Sequence, residues 1–183
     1  MTRLFLVRHG HAAAGYGADP DPGLDDLGRQ QADTMADRLE PLGPMPIITS
    51  PLRRARETAI ALEHRWNTMA VVDPSVAEVP SPTDDLAERH AWLQQAMGGT
   101  WTDLGPRYTS WRTMVTDLLL QFHKDTVIVT HFVAINAAIG RATGDDHLMC
   151  APVGNASITV FDHDHKTLQL VERGDHDLAT PVL

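Results

Sequence analysis

The stretch that decides the fold is LFLVRHG, which runs from Leu4 to Gly10 in a chain of 183 residues. Four apolar residues are followed at once by Arg8 and His9, a pattern typical of a buried parallel strand that opens into a loop. The basic residues therefore fall at the carboxyl end of a strand, where open α/β sheets bind their ligands.

A second buried strand ends in the same way much further along the chain. Thr126 to Thr130 is β-branched and is followed by His131, after which an Ala-rich helix is predicted over Val133–Thr143, ending before Gly144. Because the carboxyl ends of parallel strands meet at one edge of a sheet, we expect His9 and His131 to share one crevice.

The segments around these strands alternate between helical and extended patterns. Apolar spacing and turn signals predict a helix over 24–39, capped by Asp25 or Asp26, and a strand over Ile47–Thr49. A second helix is predicted from Leu52 towards Trp66, with Ser50 as its N-cap and Pro51 at its first position. A strand over Ala70–Val72 is predicted to follow. This alternation predicts an α/β fold with helices on both faces of a mostly parallel sheet.

The character of the chain changes between Val79 and Phe122. Two helical patterns, over Asp84–Met97 and Tyr108–Phe122, predict an excursion at about 79–123 that covers the sheet. Its three tryptophans are most simply explained by packing.

The last part of the chain reads as a β-hairpin over Ser157–Phe161 and Thr167–Val171, with solvated residues between the strands and irregular structure after Gly174. The full expectation is a single domain over 1–183, a three-layer α/β/α fold with a mostly parallel central sheet and a C-terminal β-hairpin.

Composition restricts the partners. The formal net charge of −9 excludes a general attraction to nucleic acid or anionic lipid, so any phosphate must be held locally. Cys150 is the only cysteine, which rules out an intrachain disulfide and paired-thiolate metal sites. With no secretory segment at the amino terminus and no stretch of roughly 20 apolar residues, we expect a cytoplasmic protein without membrane partners.

Three arginines crowd the first turns of the second helix, at positions 53, 54 and 56. The helix macrodipole disfavours positive charge at this end, so we expect at least one of them to meet an anion.

Taken in order, these blocks resemble the histidine phosphatase superfamily, which includes the cofactor-dependent phosphoglycerate mutases. Arg8-His9-Gly10 resembles its signature, SPLRRARETA over 50–59 resembles its second block, and Thr130-His131 with the following helix resembles a third. The matches cover most of the chain, and the resemblance implies a phosphoglycerate mutase-like fold.

The resemblance also implies a role for each site residue. His9 is the expected nucleophile, because a neutral imidazole can attack phosphorus and form a phosphohistidine that water hydrolyses. The remaining roles are phosphate binding by Arg8, Arg54 and His131, and proton donation by Glu78, for which Asp84, Asp85 and Glu88 are rivals. No cofactor and no metal are expected.

Two positions depart from the family pattern. His11 stands where many relatives have Glu, Gln or Asn, and Gly15 where several have Asn, so one phosphate contact is lost or supplied by His11. The pairs His9-x-His11 and His163-x-His165 also raise a metal site, but neither has a third ligand at a recognisable spacing.

These observations predict a metal-independent phosphomonoester hydrolase acting on a small phosphorylated molecule or a phosphoprotein. The alternatives are a phosphoglycerate mutase-type phosphotransferase and a non-catalytic module that binds phosphoesters. Specificity is expected in the loop 15–23 and in the excursion up to Tyr108. Arg89, Arg107 or Arg112 could meet a second anion there, but a solvated helix charge is the better explanation for each.

Overall fold

The computed structural model describes residues 1–15 and 18–174. In this part of the chain it contains six strands, β1 (Thr2–Arg8), β2 (Ile47–Thr49), β3 (Val71–Val72), β4 (Thr126–Thr130), β5 (Ile158–His163) and β6 (Leu168–Glu172). It also contains six α-helices, α1 (Asp26–Leu39), α2 (Arg53–Trp66), α3 (Leu86–Met97), α4 (Trp101–Leu104), α5 (Pro106–Leu119) and α6 (Phe132–Thr143). The expectation of irregular structure after Gly174 lies outside the described residues, and the single-domain organisation of 1–183 stays a prediction.

The strands form one sheet in the order β3-β2-β4-β1-β5-β6. The four strands β3, β2, β4 and β1 are parallel to one another. At the other side of the sheet, β5 pairs antiparallel with β1, and β6 pairs antiparallel with β5. The predicted mostly parallel sheet with a C-terminal β-hairpin is therefore confirmed. Because Arg8 pairs with Thr130, the two strands end level with each other, and the N–H of His9 donates to the Thr130 carbonyl at 3.0 Å.

Successive side chains of β1 enter two different layers, as the alternation of a strand requires. Phe5 and Val7 pack with residues of α1 and α2, whereas Leu4 and Leu6 pack with residues of α5 and α6. This division explains the uninterrupted apolar run of β1, because a strand covered on both faces has no solvent-facing position.

The excursion forms a packed cluster of its own, in addition to the two clusters on the faces of the sheet, and this cluster is rich in aromatic side chains. Trp101 is fully buried and stacks on Trp111 with 5.7 Å between ring centroids, and Trp92 stacks on Tyr108 at 5.3 Å. The packing interpretation of the tryptophans is confirmed. The short helix α4 was not predicted. Helix α5 begins at Pro106, before the predicted Tyr108, because Gly105 is its N-cap and Pro106 its first residue. It ends at Leu119, before the predicted Phe122.

The predicted start of α2 is wrong in detail. The helix begins at Arg53 with Leu52 at the N-cap and no side-chain cap, so neither Ser50 nor Pro51 has the predicted position. The Ser50 hydroxyl accepts from the Leu52 N–H at 3.2 Å and also contacts the ring of His131. Ser50 therefore stabilises the turn before α2 and contacts His131, but it does not cap the helix.

The hairpin is also shifted relative to its prediction, since β5 extends to His163. The side chain of His163 is buried, so its interpretation as a solvated turn residue is wrong. Its Nδ1 accepts from the His165 N–H at 3.2 Å, and its ring lies 5.0 Å from that of His165. No helix in the described part of the chain is both long and apolar enough to cross a membrane.

The loop after β1 is held against the start of α1 by two glycines. A Cβ at Gly10 would lie 2.5 Å from the Gly28 carbonyl oxygen, and a Cβ at Gly28 would collide with the carbonyl oxygen of His11. Backbone therefore meets backbone here, and the contact fixes the loop that carries His9. Asp25 caps the same helix, its side chain accepting from the Gly28 N–H at 2.7 Å, as one of the two predicted caps.

We predict that Gly28→Ala lowers the free energy of unfolding by about 1–3 kcal/mol, because the added methyl group must displace backbone. Urea unfolding followed by circular dichroism measures the change. Gly98→Ala is the matched control, since its Cβ would meet only the Gln95 carbonyl at an ordinary 3.8 Å. Equal losses in both variants would contradict a close contact at Gly28.

Candidate active site

The imidazole of His9 lies at the carboxyl end of β1 and is held at both nitrogens. Its Nδ1 is 2.8 Å from the Gly10 carbonyl oxygen, and Nε of Arg54 donates to its Nε2 at 3.1 Å. A carbonyl only accepts and a guanidinium only donates, so Nδ1 carries the proton and Nε2 carries the lone pair. The contacts therefore fix one neutral tautomer of His9.

The surroundings of His9 also keep it uncharged. Only 8% of the residue is exposed. Burial, followed by the positive charges of Arg54 and Arg8, lowers the pKa of His9 well below its ordinary value of 6.5. His9 is thus held in its neutral form, with the lone pair of Nε2 directed at Arg54.

Three further residues hold the backbone around His9. The Thr58 hydroxyl accepts from the Gly10 N–H at 2.9 Å and donates to the Arg54 carbonyl at 2.7 Å. On the other side, the Asn155 amide donates to the His9 carbonyl at 3.1 Å, as does the Ala156 N–H at 3.2 Å. The role of Thr58 was not predicted, although its spacing of four from Arg54 puts both on one face of α2.

The two arginines expected at the phosphate site lie beside His9. Arg8 donates from Nη1 to the Val153 carbonyl at 2.6 Å, and its guanidinium lies 5.2 Å from the centre of the Phe132 ring. Arg54 is 6% exposed. Arg53 instead pairs with Glu57 at 2.7 Å. Among Arg53, Arg54 and Arg56 in the first turns of α2, only Arg54 lines the cavity that contains His9.

His131 lies behind His9, fully buried, with 5.2 Å between the ring centroids. Its Nε2 is 2.7 Å from the Ser50 hydroxyl, while its Nδ1 is buried without a hydrogen-bond partner. Burial is the first cause of its strongly lowered pKa, followed by the neighbouring His9. The structure thus brings the two histidines together as expected, but His131 does not line the cavity in this state.

Glu78 reaches the cavity from the segment after β3. The Thr130 hydroxyl donates to the Val76 carbonyl at 2.6 Å and ties this segment to the end of β4. Burial raises the pKa of the Glu78 carboxyl against the opposing effects of the Val79 and Val133 amides and of both arginines. A raised pKa suits a carboxyl group that must carry a proton.

The three rival carboxylates have other partners or positions. Asp85 caps α3 by accepting from the Glu88 N–H at 2.9 Å, and Glu88 accepts from the Thr83 hydroxyl at 2.9 Å. Neither these two nor the exposed Asp84 line the cavity. Glu78 is the carboxyl group among the four that shares the cavity with His9.

The cavity has a volume of about 450 Å³. Arg8, His9, Arg54, Glu78 and Asn155 lie together in its lining. Gly15, Asp19, Pro20 and Pro22, which precede α1, and Leu93 and Met97 of α3 form other parts of its wall. His11 also lines it, with Nδ1 2.7 Å from the Asp25 carboxylate. Over residues 1–15 and 18–174, no group of three or more His, Cys, Asp or Glu side chains is arranged to hold a metal ion.

Comparison with known proteins identifies relatives in sequence and in fold. A model of the histidine phosphatase superfamily (branch 1) matches residues 4–176. The probable phosphoglycerate mutase GpmB of Erwinia tasmaniensis is 28% identical over an alignment of 163 positions that covers 79% of this chain and 76% of that protein. The GpmB protein of Yersinia pestis is 27% identical over 165 residues, with the same coverage.

Solved structures of phosphatases share the fold. Phosphoserine phosphatase from Entamoeba histolytica, in complex with 3-phosphoglyceric acid, has a TM-score of 0.74 and 25% identity, over 94% of this chain and 96% of that chain. Mycobacterial glucosyl-3-phosphoglycerate phosphatase, in complex with VO3, has a TM-score of 0.71 and 24% identity, over 96% and 100% of the two chains.

The family model spans both histidine-bearing strands and the helix between them that carries Arg54, in the order expected from the sequence. The resemblance inferred from the sequence blocks is thereby confirmed. The chain belongs to the histidine phosphatase superfamily.

Proposed function

We propose that this protein is a metal-independent phosphomonoesterase in which Nε2 of His9 accepts the phosphoryl group. The observation that carries the proposal is the fixed tautomer of His9, with its proton on Nδ1 and its lone pair on the nitrogen that faces Arg54. Membership of a superfamily with phosphatase relatives supports the same reaction class.

The first chemical step forms a bond between Nε2 and phosphorus and breaks the bond between phosphorus and the ester oxygen. In the unliganded site Arg54 donates to Nε2, so a bound phosphoryl group must take over this N–H and release the lone pair. Arg8 and Arg54 then donate to the non-bridging oxygens, where charge is stabilised during transfer. The unpartnered Nδ1 of His131 is a further donor if Ser50 donates to Nε2.

Glu78 completes the two steps as acid and then as base. Its protonated carboxyl gives a proton to the departing alkoxide, and the resulting carboxylate takes a proton from the water that attacks the phosphohistidine. The second step restores neutral His9 and releases inorganic phosphate. No metal ion takes part in either step of this scheme.

We predict that His9→Ala lowers kcat/KM for a phenyl or alkyl phosphate by at least about a thousandfold, because the covalent route is lost. His64→Ala is the matched control, since His64 is exposed on α2 and does not line the cavity. Steady-state phosphate release, with and without a chelator, measures both effects. Turnover by His9→Ala would contradict the assignment of His9 as the nucleophile. Loss of wild-type turnover in the presence of chelator would contradict metal independence.

We predict that Glu78→Gln slows alkyl phosphate hydrolysis by about 10²–10⁴-fold, the usual contribution of a general acid or base. The loss of kcat/KM should be much smaller for 4-nitrophenyl phosphate, because kcat/KM reports the steps up to formation of the phosphohistidine and this leaving group needs no proton. Its kcat is not the test, because Glu78 also acts as base when water attacks the phosphohistidine. Glu88→Gln is the control variant.

The wild type should also lose kcat/KM for alkyl phosphates as pH rises through the raised pKa of Glu78, since the carboxyl then loses its proton. This alkaline limb should vanish in Glu78→Gln. An equal loss for both leaving groups, with the pH profile unchanged, would show that another group supplies the proton.

A further inference from the structure

The active-site cavity is larger than a phosphate group and is apolar around its polar part. At about 450 Å³ it has room for an organic group in addition to the phosphoryl group. This additional space is bordered by proline, aliphatic, methionine and aromatic side chains, those of Pro20, Pro22, Leu93, Met97, Phe132 and Val133.

Two of these side chains come from the excursion. Leu93 and Met97 are four residues apart on α3, so they lie on one face of the helix, and both line the cavity. Apolar side chains in this position favour an apolar group on the substrate, because its burial removes hydrocarbon surface from water.

Cationic residues in the lining are confined to the phosphoryl site. All fifteen Lys and Arg residues of the chain lie between Arg3 and Arg173 in the described segments, and only Arg8 and Arg54 line the cavity. The arginines considered for a second anion lie elsewhere. Arg112 binds Asp146 at 2.7 Å, Arg107 lies 5.6 Å from the centre of the Tyr108 ring, and Arg89 does not line the cavity.

The other ionisable groups in the lining do not favour a second anion. The Nδ1 of His11 lies 2.7 Å from the Asp25 carboxylate, so this nitrogen already has an anionic partner. Asp19 adds a carboxylate to the lining. A carboxylate on the leaving group would thus be transferred from water to an apolar wall beside Asp19, which is costly without a paired cation.

We infer that the substrates are phosphate monoesters of uncharged, largely apolar alcohols, with Leu93, Met97 and Phe132 in contact with the alcohol. The phosphoryl group is then the only anionic group that the cavity accepts. The inference rests on the proposed phosphomonoesterase function and narrows its substrate class. It excludes phosphoglycerate and phosphoserine, which carry a carboxylate beside the ester, as preferred substrates.

A matched pair of esters tests the inference. 3-Phenylpropyl phosphate and its para-carboxy analogue have the same ester bond and differ by a remote carboxylate, so their leaving oxygens have nearly the same basicity. We predict that kcat/KM is at least about tenfold higher for the uncharged ester. 3-Phosphoglycerate should be a poorer substrate than either, and it should not be converted to 2-phosphoglycerate.

A charge introduced into the wall provides the second arm. Met97→Arg should reduce or reverse the preference for the uncharged ester, because the guanidinium can pair with the para-carboxylate. Met114→Arg is the matched control, since it makes the same substitution at an exposed position of α5 outside the cavity. It should keep the wild-type preference.

Binding to His9→Ala, measured by calorimetry, separates this inference from the proposed function. Tighter binding of the uncharged ester supports the substrate class even if no ester is turned over, in which case the proposed function alone fails. Equal or tighter binding of the carboxylated ester, or efficient turnover of 3-phosphoglycerate, would overturn the substrate class and leave the hydrolase proposal in place.

Discussion

The proposed chemistry depends on the imidazole of His9, which is kept neutral between the Gly10 carbonyl and the Arg54 guanidinium. The Nδ1–H of His9 donates a hydrogen bond to the Gly10 carbonyl, and Nε2 accepts one from Arg54, in a site where 8% of the residue is exposed. Protonation would put a third positive charge beside two arginines in a medium that screens charge poorly. Contacts with the surrounding fold therefore hold the imidazole in one neutral tautomer.

The fold supplies this preparation by joining distant segments at one edge of the sheet. The level ends of β1 and β4 set His9 beside His131, and the N-terminal turns of α2 bring Arg54 and Thr58 to the same point. Parallel strands place their carboxyl ends together, so residues far apart in sequence become neighbours. The close approach of the two glycines, Gly10 and Gly28, fixes the loop from the other side.

Much of this could be predicted from the sequence, for physical reasons. The strand before Arg8-His9 is an uninterrupted apolar run because it is buried on both faces. The alternation of helical and extended patterns along the chain predicted the mostly parallel sheet. The sequence could not reveal that Ser50 contacts His131, because a serine before a helix is equally typical of an N-cap. Thr58 and Asn155 hold the His9 backbone through contacts between distant segments, and the sequence alone does not show which backbone group each side chain meets.

The central claim is that Nε2 of His9 carries the phosphoryl group. Its most direct test is rapid quenching of the wild-type protein in alkaline denaturant during turnover, with peptide mass spectrometry to locate the phosphate and ³¹P NMR to identify the nitrogen. The account predicts one labelled site, on His9, with phosphorus bound to Nε2. Turnover without a labelled histidine, under conditions shown to preserve phosphohistidine, or a label on Nδ1 or on another residue, would contradict it.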